Sequence, residues 1–138
     1  MSEEKKVAIV ACAGMEKSFG IVAMRAVFKA VENLRPNKAA LIAIPPLIAG
    51  VKPYPNLVKT CPVIIVDGCA ERCATKTIVK MGGRVKGRIM VIDGIKKYGL
   101  TPDSPSDIGS NGEKLANKIA EDVVLLIDKF SEEVSKNE

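Results

Sequence analysis

Residues 63–73 read VIIVDGCAERC, and this stretch decides the fold class. Its four branched apolar residues are typical of a strand that is buried on both faces, as the strands of parallel sheets are. Gly68 allows a tight turn directly after Asp67. We therefore predict a buried parallel strand that ends at this turn, followed by a helix that begins near Gly68 and carries Cys69 and Cys73.

Strand patterns recur along the rest of the chain. The short apolar runs that predict strands are Val7–Ala11 and residues 39–44, 62–66 and 88–92. Residues 45–57 contain several prolines and a glycine, so they form neither a long helix nor a central strand, and we interpret them as a flap. Residues 93–109 are rich in Pro, Asp and Ser, which predicts a long loop.

Helical spacing of apolar residues separates the strands. It predicts a helix over residues 19–34, with Ser18 as its cap, and a second helix that ends near Met81. A capping box at Ser110 predicts a closing helix. Its apolar stripe consists of Leu115, Ile119, Val123, Leu126, Ile127, Phe130 and Val134.

This alternation predicts one α/β domain over residues 1–138. Strands that are separated by helices pair in parallel through right-handed crossovers, which gives a three-layer, doubly wound sheet. We expect about four mainly parallel strands in the order 2-1-3-4 and a C-terminal helix. The working site of such a sheet lies at the carboxyl ends of its strands, where neighbouring crossovers leave in opposite directions. The loops after the first and third strands meet there, so we expect Cys12, Cys69 and Cys73 to converge.

The four cysteines have different expected environments. Cys69 and Cys73 are four apart, which places both thiols on one face if the helix begins near Gly68. A helix N-terminus also favours thiolate over thiol. Cys61 precedes the third strand, and about six extended residues of roughly 3.3 Å each separate it from Cys69 by ~20 Å. We therefore interpret Cys61 as a structural thiol.

Composition excludes several kinds of chemistry. The chain has no histidine, so a general base or metal ligand must be another residue type. Its net charge of +5 is scattered, and with 4% aromatic residues and no Trp we expect no nucleic-acid partner. No apolar run approaches the length of a membrane span, so we expect a cytoplasmic protein without a membrane partner. Reduced cysteines in that compartment indicate metal binding or redox chemistry.

Two segments resemble the DGC-domain family of candidate zinc-binding proteins. They are residues 9–14, which read IVACAG, and residues 67–76, which begin with Asp67-Gly68-Cys69. The similarity runs over most of the chain and implies zinc bound by Cys12, Cys69 and Cys73. Members of the family often have a further cysteine in the first loop or near the end of the second strand. This chain has Met15 and residues 43–45, AIP, at those places.

Three hypotheses for function follow. The leading one is zinc bound by three thiolates, with the fourth position left to water, a carboxylate or a ligand and covered by the flap at residues 45–57. Such a site suits a small thiol or an anionic molecule, as binder, carrier or enzyme. The second is a metal-free thiol redox enzyme with Cys69 as nucleophile and Cys12 or Cys73 as resolving thiol. The third, nucleotide or phosphate binding, lacks a glycine-rich fingerprint.

Two aspartates end predicted neighbouring strands. Asp67 and Asp93 are each followed by glycine, a pattern typical of helix or turn caps. Either carboxylate could instead accept hydrogen bonds from amides of the cysteine loop or offer an oxygen to a metal. The sequence leaves these roles open.

Overall fold

A computed structural model describes residues 6–12, 14, 16–68 and 71–136, with side chains up to residue 133. Its sheet has four strands in the order β2-β1-β3-β4, and every pairing is parallel. The predicted strand order is therefore confirmed. The strands are β1 (Val7–Ala11), β2 (Ala39–Ile42), β3 (Pro62–Asp67) and β4 (Arg84–Met90).

Helices cover both faces of this sheet. On one face lie α1, which continues as a π-helix, and α5 and α6, whereas α2, α3 and α4 lie on the other. The three predicted layers are confirmed. The helices are α1 (Ser18–Phe28), its π-helical extension (Lys29–Leu34), α2 (Ile44–Ile48), α3 (Tyr54–Thr60), α4 (Cys73–Lys80), α5 (Val91–Tyr98) and α6 (Gly109–Lys136).

Alternating strand residues belong to two apolar clusters, one on each face of the sheet. In β1, Val7 and Ile9 face α1 and α6, whereas Ala8 and Val10 face α2, α3 and α4. All six residues of β3 are buried, as the opening stretch predicted. The α6 stripe is also buried from Leu115 to Phe130, except that Leu126 is partly exposed. The side chain of Val134 lies outside the described residues.

The fourth strand and the segment after it differ from the prediction. β4 begins at Arg84 and ends at Met90, and the residues that follow form α5 rather than a loop. β4 is an edge strand, and alternate residues along it are exposed. Because its first half is charged, it contains no continuous apolar run there that would predict a strand. Asp93 therefore lies in the first turn of α5 and does not end a strand.

Helix ends show two smaller differences. Ser18 is the first residue of α1 and not its cap, since Lys17 holds that position. The last helix begins at Gly109, one residue before the predicted capping box, and the Asp107 carboxylate accepts the Gly109 N–H at 3.0 Å. Within the described part of the chain, no helix is both long enough and apolar enough to cross a membrane.

The predicted flap is two short helices packed on the sheet. It contains no long helix or strand, as expected, because prolines occupy the first turns of α2 and α3. Leu47 and Val58 are fully buried against the sheet. Residues 48–53, which include the connection around Gly50, are exposed, as are Pro45 and Asn56. The segment thus packs on the sheet through a few residues of each helix and otherwise lies at the surface.

Arg35 and Asp128 tie the end of the π-helical extension to α6. The guanidinium donates to both carboxylate oxygens, at 2.8 and 3.0 Å. This hydrogen bonding lowers the pKa of Asp128 below its ordinary value. A carboxyl pKa lowered by folding stabilises the protein above the ordinary pKa, and the stabilisation is lost as pH falls through the folded value.

We expect Asp128→Asn to reduce the free energy of unfolding by about 0.5–1 kcal/mol at neutral pH. The reduction should shrink as the pH falls through the lowered pKa of the folded Asp128 carboxyl, because the charge that the guanidinium stabilises is then lost. Urea unfolding of both proteins at neutral and acidic pH measures this. A reduction of the same size at both pH values would show that Asp128 acts through packing and not through charge.

Candidate functional site

The loops after β1 and β3 adjoin at the carboxyl edge of the sheet. Cys12 follows β1 directly, and its backbone N–H donates to the carbonyl of Val66 at 2.9 Å, which continues the pairing of the two strands. Val66 is one residue before Asp67 and two before the turn at Gly68. Cys12 is therefore held beside the corner that leads to the second cysteine loop.

Three glycines, Gly14, Gly20 and Gly68, hold these loops against the start of α1. A Cβ at Gly68 would lie 3.0 Å from the backbone nitrogen of Gly20, and a Cβ at Gly20 would overlap the carbonyl oxygen of Gly14. These contacts join backbone to backbone, so any side chain at Gly20 forces one of the loops to move. The close packing brings the first crossover against the Asp67–Gly68 corner.

The Cys12 thiol is buried and accepts a hydrogen bond. Its residue is 6% exposed, and the Gly14 backbone N–H donates to Sγ over 3.4 Å. Gly14 also has space beside it where a side chain would begin. A Cβ built on this glycine would lie at ordinary contact distance from two groups, 3.5 Å from Sγ of Cys12 and 3.6 and 3.7 Å from the carboxylate oxygens of Glu16. A thiol and a carboxylate thus border one space, which we name the Gly14 gap.

Asp67 caps the helix that carries Cys73. Its side chain is almost fully buried, with 1% of the residue exposed. One carboxylate oxygen accepts the Ala74 backbone N–H at 3.0 Å, and the other accepts the Thr75 hydroxyl at 2.5 Å. Of the roles left open for Asp67, the structure therefore supports the helix cap. These bonds fix the N-terminus of α4 relative to the end of β3.

The helix after β3 begins later than the sequence predicted. Its first residue is Cys73, and the preceding Arg72 has a left-handed backbone with φ of 55°. An α-helix cannot continue through that conformation, so Cys69 and Cys73 do not share one face of a helix. The prediction of helical spacing between the two thiols was wrong. The exposed Cys73 is instead the first residue of the helix.

Cys69 lies outside the described residues, so the convergence of Cys12, Cys69 and Cys73 stays a prediction. Among the residues that are described, no group of three or more Cys, Asp and Glu side chains is close enough to hold a metal ion. The Cys12 thiol and the Glu16 carboxylate, which border the Gly14 gap, are both of the kinds that ligate zinc.

Cys61 lies away from this edge, as its sequence position predicted. It follows α3 and precedes β3, so it belongs to the amino end of the strand. The residue is 9% exposed and packs in the apolar cluster of α2, α3 and α4. Its interpretation as a buried structural thiol agrees with this environment.

Sequence reasoning missed three residues of the site, Glu16, Gly20 and Thr75. The spacing Cys12-x-Gly14-x-Glu16 could have suggested a carboxylate near the first thiol. Gly20 falls within a regular helical pattern, and its contact with Gly14 depends on how the loop folds back. Thr75 is eight residues from its partner Asp67. No local capping motif has that separation.

Comparison with protein-family models gives a match to the DGC domain over residues 8–119. The match begins in β1 and ends within α6, so it includes the whole sheet and both loops of the candidate site. Comparisons with curated proteins and with solved structures give no match.

Proposed function

The chain belongs to the DGC domain family, and from that premise we propose that it binds zinc through Cys12, Cys69 and Cys73 at the carboxyl edge of the sheet. A site with three thiolates leaves one coordination position for a further donor. That position suits a small thiol or an anionic molecule. We propose that the protein acts in the cytoplasm on such a molecule.

The environment of Cys12 is the observation that carries this proposal. A buried thiol without a partner normally prefers its neutral form, because burial disfavours the charge. Here the Gly14 N–H donates to Sγ, and the Glu16 carboxylate borders the same gap. A thiolate and a carboxylate are both zinc ligands, so a metal ion at this gap would be attracted to both side chains. This arrangement favours metal binding over a purely structural cysteine.

The surrounding residues have defined roles in the proposed site. Bound zinc would supply a Lewis acid that polarises a ligand at the fourth position. Cys12 is held by its bond to Val66, and Asp67 fixes the helix end from which Cys73 projects. The exposed connection around Gly50, between α2 and α3, is the part of the proposed flap that can cover an incoming molecule.

We expect untagged wild-type protein to contain about one zinc per chain, since three thiolates and one further donor complete a tetrahedral site. Cys12→Ser, Cys69→Ser and Cys73→Ser should each reduce this content strongly, because a serine hydroxyl is a poor zinc ligand. Metal analysis by mass spectrometry on purified, dialysed protein measures the content. Cys61→Ser is the matched control and should keep the wild-type value.

Two outcomes would contradict the proposal. Zinc content far below one per chain in the wild type would remove it altogether. Equal loss of zinc in Cys61→Ser and Cys12→Ser would show that the variants lose metal by unfolding. Far-ultraviolet circular dichroism of all four variants distinguishes that case.

The position of Cys73 favours a second candidate function, thiol redox chemistry without metal. Cys73 is exposed and is the first residue of α4, and reactive thiols are often found at helix N-termini. In this alternative Cys69 is the nucleophile and Cys12 or Cys73 resolves it. Thiol titration with and without a chelator separates the two functions. Zinc-bound thiols react only after chelation, whereas redox thiols react equally in both conditions.

A further inference from the structure

The outer face of α6 carries a leucine among charged residues. Leu125 lies near the middle of this helix and is 69% exposed, which makes it the most exposed of the large apolar side chains that the structure describes. It borders a surface cavity of about 380 Å³, which the exposed Leu34 and the neighbouring Arg35 also line. A single exposed leucine is ordinary on a protein surface, so the charges around it decide whether this face has a partner.

Charged side chains surround Leu125 in an ordered pattern. At 3.6 residues per turn they fall with it within about 100° of the helix circumference, which makes one continuous stripe. This stripe, the Leu125 face, consists of Lys118, Glu121, Asp122, Leu125, Lys129 and Glu132. Lys118 lies seven positions before the leucine and Glu132 lies seven after it. The outermost charges of the face therefore have opposite signs.

The inner charges of the Leu125 face have the reverse order. Glu121 and Asp122 precede the leucine by four and three positions, and Lys129 follows it by four. Neither Glu121 nor Lys129 forms an ion pair with another described side chain of the protomer. Each charge on one side of Leu125 thus has an opposite charge at a similar distance on the other side.

We propose that the Leu125 face binds the same face of a second copy of the chain, with the two α6 helices antiparallel. A two-fold axis at Leu125 places each residue before the leucine opposite one that follows it at a similar distance in the partner. Lys118 then meets the partner's Glu132, and Lys129 meets the partner's two carboxylates just before the leucine. The symmetry forms each of these contacts twice, and the two leucines bury each other at the centre.

The charge pattern selects the antiparallel arrangement. Parallel helices would place every charge opposite its own copy, which is repulsive at each position. In the antiparallel pair Asp128 lies beside the partner's Glu121, but Arg35 and Lys38 already pair with this aspartate. That group of three side chains carries a net positive charge, so it attracts the partner's carboxylate.

The size of the Leu125 face indicates a weak, concentration-dependent dimer. At 1.5 Å per residue the helix between Lys118 and Glu132 is about 21 Å long. Two helices in contact over that length bury less than the roughly 1,000 Å² that stable complexes exceed, so we expect association in the micromolar range or weaker. The face includes no residue of the candidate zinc site, and the proposal does not depend on metal binding.

Sedimentation velocity of the full chain over a wide range of concentrations tests the proposal. We expect the wild type to shift from monomer toward dimer as its concentration rises. Leu125→Asp should weaken association at least about tenfold, because it places two carboxylates at the centre of the interface. Val79→Asp is the matched control, since Val79 is an apolar residue that is 60% exposed on α4. This control should dimerise like the wild type.

Exchange of charges tests the antiparallel pairing. Lys118→Glu should weaken association by about tenfold, because it turns two attractive pairs into repulsive ones. Glu132→Lys should have the same effect, and the double variant should regain the wild-type association. The two positions are about 21 Å apart along one helix, beyond the reach of an ion pair. Recovery in the double variant therefore measures contact between chains.

Three results would overturn the proposal. A wild type that stays monomeric at every concentration would show that no second copy binds this face. Equal weakening in Leu125→Asp and Val79→Asp would show that association does not depend on α6. A double variant that associates no better than either single variant would exclude the antiparallel pairing. Far-ultraviolet circular dichroism of each variant verifies that it is folded before its association is compared.

Discussion

Replacement of Asp67 by alanine should lower the free energy of unfolding by roughly 2–4 kcal/mol. The substitution removes two buried acceptors at once, one for the Ala74 N–H and one for the Thr75 hydroxyl. Both donors would be left without a partner beneath α4, and the end of β3 would lose its connection to the helix. Urea unfolding followed by circular dichroism measures the change.

Two milder variants test this explanation of Asp67. Thr75→Val removes one of the two bonds, and Asp67→Asn keeps an acceptor for the Ala74 N–H. Each should therefore cost less than Asp67→Ala, about 1–2 kcal/mol. We also expect Asp67→Ala to weaken zinc binding more than Thr75→Val does, because the helix end carries Cys73. If Asp67→Ala and Thr75→Val had equal effects, the Ala74 bond would contribute nothing.

Gly20→Ala is expected to open the site by forcing the first loop away from α1. Its Cβ would overlap the Gly14 carbonyl oxygen, which belongs to the backbone and cannot rotate aside. Alanine gains about 1 kcal/mol of helix propensity over glycine. Overpacking against a rigid neighbour costs about 1–3 kcal/mol, so the net change should be destabilising. Displacement of Gly14 also removes the hydrogen bond to the Cys12 thiol.

Alkylation with iodoacetamide, read at Cys12 by peptide mass spectrometry, measures this opening. We expect faster modification of Cys12 in Gly20→Ala than in the wild type. Asn117→Ala, exposed on α6, is the control for helix propensity without a clash and should leave the rate unchanged. Wild-type reactivity of Cys12 in Gly20→Ala would show that the loop absorbs the methyl group without moving.

The sheet was predictable because the apolar patterns that specify its strands are local in the sequence. The apolar runs of β1 and β3 are buried on both faces, and alternation with helices predicts parallel pairing. The order 2-1-3-4, expected from other doubly wound folds, is the one observed. The sequence predicted β4 at residues 88–92, later than its observed start at Arg84, because an edge strand needs no continuous apolar run. α5 was missed because residues 91–98 are short and polar on one side, and their apolar residues pack against the cluster that α1 and α6 line.

The site was predictable only in its position. Topology alone indicated that the loops after β1 and β3 adjoin, and the contact of Gly68 with Gly20 agrees with that. The local geometry was not predictable, because it depends on one left-handed residue, Arg72, and on a cap formed across eight positions. No sequence pattern predicts either feature.

The position of Cys61 allows local opening and global unfolding to be timed in the same molecule. Its thiol lies within the apolar cluster at the amino end of β3, far along the strand from the Gly68 turn. The residue is 9% exposed, so a reagent gains full access to its thiol when α2 and α3 move away from this end of the sheet. The modification rate of Cys61 therefore measures how often the core opens, while that of Cys12 measures motion at the opposite edge. Comparing the two rates shows whether the loops open without the rest of the fold.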